Sequence, residues 1–419
     1  MTGDATSEPD SDARAAPAPQ AQTVPALRPG DPAPWFKLPC GDQPEFNLAS
    51  VAGRYIVLSF FGSTANPLAG RELAAVLKHR ALFDDQKFHF FGVGTDPADA
   101  ARGRLRPSLP GVRYFRDFDR RVSRLYGAAA DGPNGPRDLP LTVVLDPTLR
   151  VLACIRYDAP GGHAAPLVTF LRALPAPERH AGVELFAPIL VVPRVFEPAF
   201  CRRLIELYRK RGGEDSGFMR EEQGKTVAAI DHTHKRRSDY IIQDREAREA
   251  ALTRVNRRLV PEIHKAFHYR ATRMERYIVA CYDAAVGGYF KPHRDNTTKG
   301  TAHRRFAVTL NLNAEEYEGG ELRFPEYGPR TYKPPTGGAV VFSCTLLHEA
   351  TPVTKGVRYV FLPFLYDEAA AALREANNKY LGENVDPYRA VARPKGEPQA
   401  EVEPQAEGEP AAAPRPAKA

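Results

Sequence analysis

The chain predicts two folded units of different class: an α/β unit, then a β-sandwich or jelly roll with helices packed outside. Three observations carry this reading. At 419 residues the chain is too long for one compact domain. Composition shifts then divide it. Residues 1–26 and the stretch from about Arg393 onward are rich in Ala and Pro and poor in the aromatic and β-branched residues a core requires, and Leu174-Pro175-Ala176-Pro177-Glu178-Arg179-His180 reads as a linker. Between these cuts, strand and helix patterns alternate over 27–175, whereas short strands separated by Gly, Pro and Asn dominate 184–385. The expected organisation is a disordered 1–26, a first unit 27–175, a linker 176–183, a second unit 184–385 with its jelly-roll core over 272–367, and a disordered tail 386–419.

In the first unit, Arg54 to Phe61 is a buried strand, followed by a helical pattern from Asn66 to Asp84 carrying Leu73, Val76, Leu77 and Leu82. Next come the strand FHFFGVGTD, a helix at Ala98 to Arg104, the strand VRYFRDF and a helix at Arg121 to Tyr126. LPLTVVLD and VLACIRYD then form a hairpin, and Pro166 to Leu174 a last helix. A parallel βαβ entry followed by a terminal hairpin and helix is a thioredoxin-like order of elements.

The second unit opens with a strand and a helix in LFAPILVVPRVFEPAFCRRLIELYRKR, and a longer amphipathic helix runs from Arg245 to Phe267. Strands follow at 275–282, 304–313, 319–324, 338–343 and 357–366, a spacing that suits a jelly roll.

Composition excludes several classes. With 43% hydrophobic and 26% charged residues, the chain is neither wholly disordered nor fibrous. No run approaches the roughly 18–20 apolar residues of a membrane span. The acidic opening MTGDATSEPDSD does not look like a secretory signal, so a cytoplasmic protein is expected. Five cysteines, at 40, 154, 201, 281 and 344, are odd in number and contain no CxxC pair, which predicts reduced thiols. The net charge of +7 is spread along the chain. Its one cluster, His232 to Arg237, reads as a solvated basic loop and gives no clear nucleic-acid signal. The oligomeric state is not written in the sequence.

The chemistry concentrates in the second unit. In Lys291-Pro292-His293-Arg294-Asp295, residues i and i+2 of an extended segment point the same way, so His293 and Asp295 present an imidazole and a carboxylate to one side. His348 lies just beyond the buried strand AVVFS, where a neighbouring strand of a jelly roll can bring it alongside. Two histidines and one carboxylate on one face leave coordination positions free, the arrangement of non-haem Fe(II) oxygenases. Arg358 interrupts an apolar run with no acidic residue before Asp367, so a buried guanidinium there lacks a partner. A bound carboxylate supplies one through two parallel hydrogen bonds.

HxD, His348 and Arg358, with CYDAAVGGYFKPHRDN, EGGELRFPEYG and TLLHEATPVTKGVRYV around them, resemble the Fe(II)/2-oxoglutarate-dependent dioxygenases of the prolyl 4-hydroxylase-like branch over residues 184–367. The resemblance implies His293, Asp295 and His348 as iron ligands, Arg358 as the 2-oxoglutarate anchor and Tyr282 as a further hydrogen-bond donor to it. It also implies Fe(II), with 2-oxoglutarate and O2 as co-substrates and L-ascorbate as an accessory reductant. The reaction implied is hydroxylation of a C–H bond in a peptidyl proline, another peptide or a small molecule, with succinate and CO2 as co-products. A carboxylate at Asp295, where related halogenases carry a small residue, favours hydroxylation.

The first unit resembles the peroxiredoxin and redoxin family through PGDPAPWFKL, the FFGS turn and Leu139-Pro140-Leu141-Thr142. That family implies a reactive cysteine at the start of the helix after the first long strand, but Ser63 to Leu73 contains none and Ala69 is the matching position. Cys154 lies among apolar strand residues and is expected to be a structural thiol. Thiol peroxidase chemistry through Cys40 and a non-catalytic iron- or oxygen-sensing or partner-binding role are the alternatives to the hydroxylase.

Other residues receive blander readings. His264 and His268 share a helix face without a metalloprotease glutamate, and His232 and His234 are expected to be solvated. Arg237 and Ser238 fall in a segment resembling the substrate side of prolyl hydroxylases. Arg304 and Arg305 read as strand-edge charges.

Overall fold

The computed structural model of this chain describes residues 27–133, 135–159 and 162–389. The segment 1–26 and residues 390–419 of the expected tail lie outside the described residues.

The first unit is built on a seven-stranded sheet. Its first five strands are β1 (Lys37–Cys40), β2 (Gln43–Asn47), β3 (Tyr55–Gly62), β4 (Phe88–Gly94) and β5 (Val112–Arg116). The order across the sheet is β2, β1, β5, β4, β3, then the hairpin strands Leu141–Leu145 and Val151–Arg156. β3, β4 and β5 run parallel, and the other pairings are antiparallel. Every residue of β3 is buried, because both faces of the sheet are covered. Ile56, Leu58 and Phe60 enter one core, while Tyr55, Val57 and Phe61 enter the other beneath helix α1 (Pro67–Leu77) and the helix Ala164–Ala173. This is the thioredoxin-like arrangement.

α1 is shorter than the 66–84 the pattern suggested. Asn66 caps it, its Oδ1 accepting from the amides of Leu68 and Ala69. Leu73, Val76 and Leu77 keep helical spacing, but the next apolar residues, Leu82 and Phe83, fall out of step, and a short 3-10 turn at Arg80–Leu82 replaces the last turns. The helix expected at 98–104 is a single turn, Pro97–Ala101. The reading of Cys154 as an interior thiol is corrected: it is exposed, because Val151–Arg156 is the last strand of the sheet and turns its alternate residues outward.

The second unit consists of two antiparallel sheets facing each other as a jelly roll. The larger sheet has nine strands. Its main path runs Leu190–Val192, Ala339–Ser343, Phe306–Asn311, Val357–Phe361, Ile278–Asp283, Ser238–Ile241, Glu214–Asp215. The smaller has five: Lys235–Arg236, Tyr289–His293, His348–Ala350, Leu322–Arg323, Thr331–Tyr332. Period-2 alternation sorts the cores. Val279, Cys281, Tyr359 and Phe361 pack outward under the helices, while Ile278, Ala280, Tyr282 and Val360 point into the sandwich.

The long helix of 245–267 is present but not uniform. A wider turn at Val255–Leu259 separates Arg245–Arg254 from Val260–Phe267, with the amide of Val260 bonding the carbonyl of Val255. Pro261 has no amide hydrogen with which to continue the regular ladder, so the helix adjusts just before it. Among the described residues no helix is long and apolar enough to cross a membrane.

Candidate active site

His293 ends the strand Tyr289–His293, and His348 begins the neighbouring strand His348–Ala350. The register pairs the two residues directly, which explains how positions far apart in sequence meet. Asp295 follows two residues after His293, its amide fixed to the carbonyl of Cys344 at 3.0 Å. Its carboxylate stands 3.6 Å from His293 Nε2 and 3.3 Å from His348 Nε2. One donor atom from each residue falls within 4.8 Å of the others.

The histidines are oriented for ligation. His293 Nδ1 lies 2.8 Å from the carbonyl of Lys291, and His348 Nδ1 lies 3.0 Å from that of Leu346. A carbonyl only accepts, so Nδ1 carries the hydrogen in each ring and Nε2 keeps its lone pair toward Asp295. Phe290 stacks on His293 at 3.5 Å between ring centres, and Phe342 packs across His348 at 4.6 Å, which holds both rings.

Burial, followed by the neighbouring His348, pushes the His293 imidazolium down to a pKa of about 4, so the ring is neutral at pH 7. Burial opposes ionisation of Asp295, but His348, His293 and Arg304 outweigh it and hold the carboxyl below the usual range. The neutral His293 imidazole, the ionised Asp295 carboxylate and the His348 ring beside them form a two-histidine, one-carboxylate donor set that suits a divalent iron.

Arg358 rises from the larger sheet, opposite Tyr282 in the cross-strand register. It is 2% exposed. Its Nε and Nη1 have no hydrogen-bond partner, and it makes no ion pair, among the described residues. Its guanidinium stacks on the Tyr282 ring at 4.8 Å. The Tyr282 hydroxyl accepts from Arg237 Nη1 at 3.4 Å, leaving its own hydrogen free to donate. Arg358 and Tyr282 line the same cleft as the three candidate ligands.

That cleft has a volume of about 1600 Å3 and draws on both units. Lys37, Gln43, Glu45 and Asn47 of the first unit form one rim, and the hairpin Phe218–Glu222/Lys225–Ala229 forms another. Lys37 bridges them, with Nζ 3.4 Å from Glu221 and 3.7 Å from Glu45.

The sequence reading missed both rim hairpins, because their strands are only four or five residues long and Gln43–Asn47 and Phe218–Glu222 are largely polar. The available signals were the two-residue turns Gly41-Asp42 and Gln223-Gly224, the latter with φ of +48° and +76°. Three further readings are corrected. The basic cluster is not uniformly solvated. Lys235 is buried, donating to Ser216 Oγ at 2.7 Å and to the Gly217 carbonyl, and Arg237 is buried against Asp239 at 2.6 Å. Of the paired histidines, His232 is exposed beside Asp215, whereas His234 packs against Phe218 and Phe290. Arg304 is no edge charge, since it lies just before the central strand Phe306–Asn311 and its guanidinium pairs with the buried Glu275 at 2.7 Å. Ser238 turns away from the cleft and bonds the Tyr208 hydroxyl at 2.6 Å.

In the first unit, Ala69 lies buried in the opening turn of α1, where the redoxin resemblance implies a cysteine. Cys40 belongs to the core on the other face of the sheet, and burial raises its pKa above that of a free thiol.

Residues 277–366 match the family profile of the 2OG-Fe(II) oxygenase superfamily, and residues 29–153 that of the AhpC/TSA family. A PKHD-type hydroxylase of Synechococcus sp. is 29% identical over 124 residues, which cover 28% of this chain and 53% of that protein. Another, from Hyphomonas neptunium, is 28% identical over 168 residues, covering 38% of this chain and 72% of that protein. The chain thus spans about half the length of the first relative. Similar solved structures include a Pseudomonas putida prolyl-4-hydroxylase, with TM-score 0.35 and 18% identity over 43% of this chain and 94% of that one. Peroxidoxin BcpB from Mycobacterium tuberculosis has TM-score 0.31 and 21% identity over 36% and 99%. Two family profiles therefore meet in one polypeptide, the AhpC/TSA profile over residues 29–153 and the 2OG-Fe(II) oxygenase profile over residues 277–366.

Proposed function

We propose that the second unit is an Fe(II)- and 2-oxoglutarate-dependent hydroxylase, with His293, Asp295 and His348 as ligands, Arg358 as the co-substrate anchor and Tyr282 as a second donor to it. The observation that carries this is the pairing of a two-histidine, one-carboxylate cluster with a buried guanidinium that has two unpartnered nitrogens in the same cleft. When bound, the iron supplies activation of O2 coupled to decarboxylation of 2-oxoglutarate to succinate and CO2. The chain's own contribution is positional. Nδ1 hydrogens on backbone carbonyls aim both Nε2 lone pairs, Asp295 supplies negative charge, and Arg358 fits a carboxylate through parallel N–H donors. L-Ascorbate enters as an accessory reductant, tested by omitting it from turnover assays.

The substrate class follows from the cleft. At about 1600 Å3 it exceeds the roughly 300–1,000 Å3 typical of small-molecule pockets, which favours a peptide segment over a small metabolite. A prolyl side chain is the first candidate, given the prolyl 4-hydroxylase-like motifs around His293, Asp295, His348 and Arg358. All five cysteines are free thiols, which suits a cytoplasmic setting. Peroxidase action is disfavoured by Ala69 and by the buried, high-pKa Cys40.

Anaerobic titration with Fe(II) and 2-oxoglutarate tests the reading through the visible charge-transfer band of the chelated complex. The band is expected in the wild type, absent in His293→Ala, and shifted to much higher 2-oxoglutarate in Arg358→Ala. A folded wild type without the band refutes the assignment.

A further inference from the structure

The three candidate ligands sit on extended segments, so their immediate neighbours point the opposite way, out of the back of the smaller sheet. In this chain that back is covered by the first unit. Arg294, between His293 and Asp295, is buried with its guanidinium 4.4 Å from the ring of Trp35. Its Nη2 donates to the carbonyl of Ala49 at 3.1 Å and to Glu326 Oε1 at 2.9 Å, and its Nη1 donates to Glu326 Oε2 at 3.1 Å and to the carbonyl of Thr345. Glu326 in turn accepts the amide of Leu347 at 3.1 Å. Leu347, immediately before His348, is fully buried in the first unit's own hydrophobic cluster, among Phe36, Leu38 and Leu48.

The approach is close at a second point. Gly53 has φ of +91°, and a Cβ there would lie 2.7 Å from Pro325, the residue before Glu326. One buried ion pair, Arg294–Glu326, thus ties together the segment bearing His293 and Asp295, the segment bearing His348, and two elements of the first unit.

We infer that the AhpC/TSA-type unit is a positioning element of the oxygenase, clamping the two ligand-bearing segments from behind through Arg294 and Leu347. It acts there as a permanent outer shell of the metal site and not as a separate redox module. Outer-shell partners of this kind orient the ligands, and their loss weakens metal binding by about 10- to 100-fold. The inference rests on the metal-centre reading and extends it.

The test uses the full-length chain and Co(II), a redox-quiet probe with a visible ligand-field spectrum. Co(II) affinity and band shape are measured for wild type, Leu347→Ala, Arg294→Lys and Trp35→Ala. The control is Val76→Ala, which opens the first unit's other core, beneath α1. Thermal unfolding identifies the variants that fold. Arg294→Lys keeps the charge but loses the fork that spans Glu326 and Ala49, so a lysine that restores neither affinity nor band shape separates geometry from charge. Expected are a loss of about 10- to 100-fold in Co(II) affinity for Leu347→Ala and Arg294→Lys with altered bands, a smaller loss for Trp35→Ala, and wild-type binding for Val76→Ala. Folded Leu347→Ala, Arg294→Lys and Trp35→Ala variants that bind like wild type overturn the inference, as does a control that weakens binding equally. A wild type that binds no Co(II) instead removes the metal-centre reading beneath it.

Discussion

Replacing Arg358 by methionine separates a co-substrate anchor from a structural arginine, because the two roles predict opposite signs for stability. In the free protein, Nε and Nη1 are buried without partners. Each such group costs about 1–3 kcal/mol, so an apolar side chain of similar length is expected to leave the fold equally stable or stabilise it by about 1–2 kcal/mol. With co-substrate present the sign reverses. Truncating one side of a buried, hydrogen-bonded charge pair costs about 2–5 kcal/mol, and a middle value of about 3 corresponds to roughly a hundredfold weaker 2-oxoglutarate binding. The assay is urea unfolding of the Co(II)-loaded protein with and without 2-oxoglutarate. At a concentration of about 100 Kd, wild type gains about 2.7 kcal/mol, and the variant is expected to gain almost nothing at the same concentration. A variant that loses stability in the free state but keeps the full gain refutes the reasoning, and Arg358 is then part of the scaffold.

Three further outcomes follow from the structure. Asp239 is buried, and Arg237, Arg276 and Lys235 outweigh its burial to hold its carboxyl at about 2, against an ordinary 3.8. The folded value is depressed, so about 2 kcal/mol of stability is present above pH 4 and is lost as pH falls from 4 through 2; Asp239→Asn is expected to show a shallower acid-unfolding slope in that window. Gly53→Ala combines a left-handed φ with a 2.7 Å clash against Pro325, so a fall of several degrees in melting temperature is expected, and an unchanged melting temperature argues that the two units are not tightly apposed. Peroxide consumption by the full chain is expected to stay at background and to be unaffected by Cys40→Ser; a Cys40-dependent rate in a dye-coupled assay restores the peroxidase alternative.

What the sequence made legible is what depends on local period and strong chemistry. β3 follows from an unbroken apolar run, and the convergence of His293, Asp295 and His348 from the i, i+2 spacing of an extended segment with a plausible strand pairing. Arg358 stood out because an apolar run contained a charge with nothing to neutralise it, and its Nε and Nη1 do lack partners among the described residues. Less visible were short elements with few apolar residues. The rim hairpins at 37–47 and 218–229 have strands of four or five residues, in which turn chemistry and ion pairs such as Lys37–Glu221 supplement a few apolar contacts, Leu38 and Cys40 among them. The paired arginines were misjudged for a related reason. Arg237 and Arg304 are paired with Asp239 and Glu275, and a paired charge looks the same in sequence as a solvated one.

Arg294 marks where the local reading stops. Alternation predicts that the residue between His293 and Asp295 points away from the metal, and in an isolated jelly roll that direction is solvent, where an arginine needs no explanation. Here it is occupied by Ala49 and Trp35, 245 residues and more away along the chain. No periodicity within one unit encodes what lies behind it, because the information is shared between a carbonyl in one unit and a guanidinium in the other. Leu347 carries the same lesson with the opposite chemistry. A leucine before a ligand histidine looks like ordinary jelly-roll core, yet it joins the first unit's hydrophobic cluster, which holds Phe36, Leu38 and Leu48. Since both contacts lie one residue from a candidate ligand, a movement of the first unit acts on the ligand-bearing segments as directly as on the cleft rim that this unit forms.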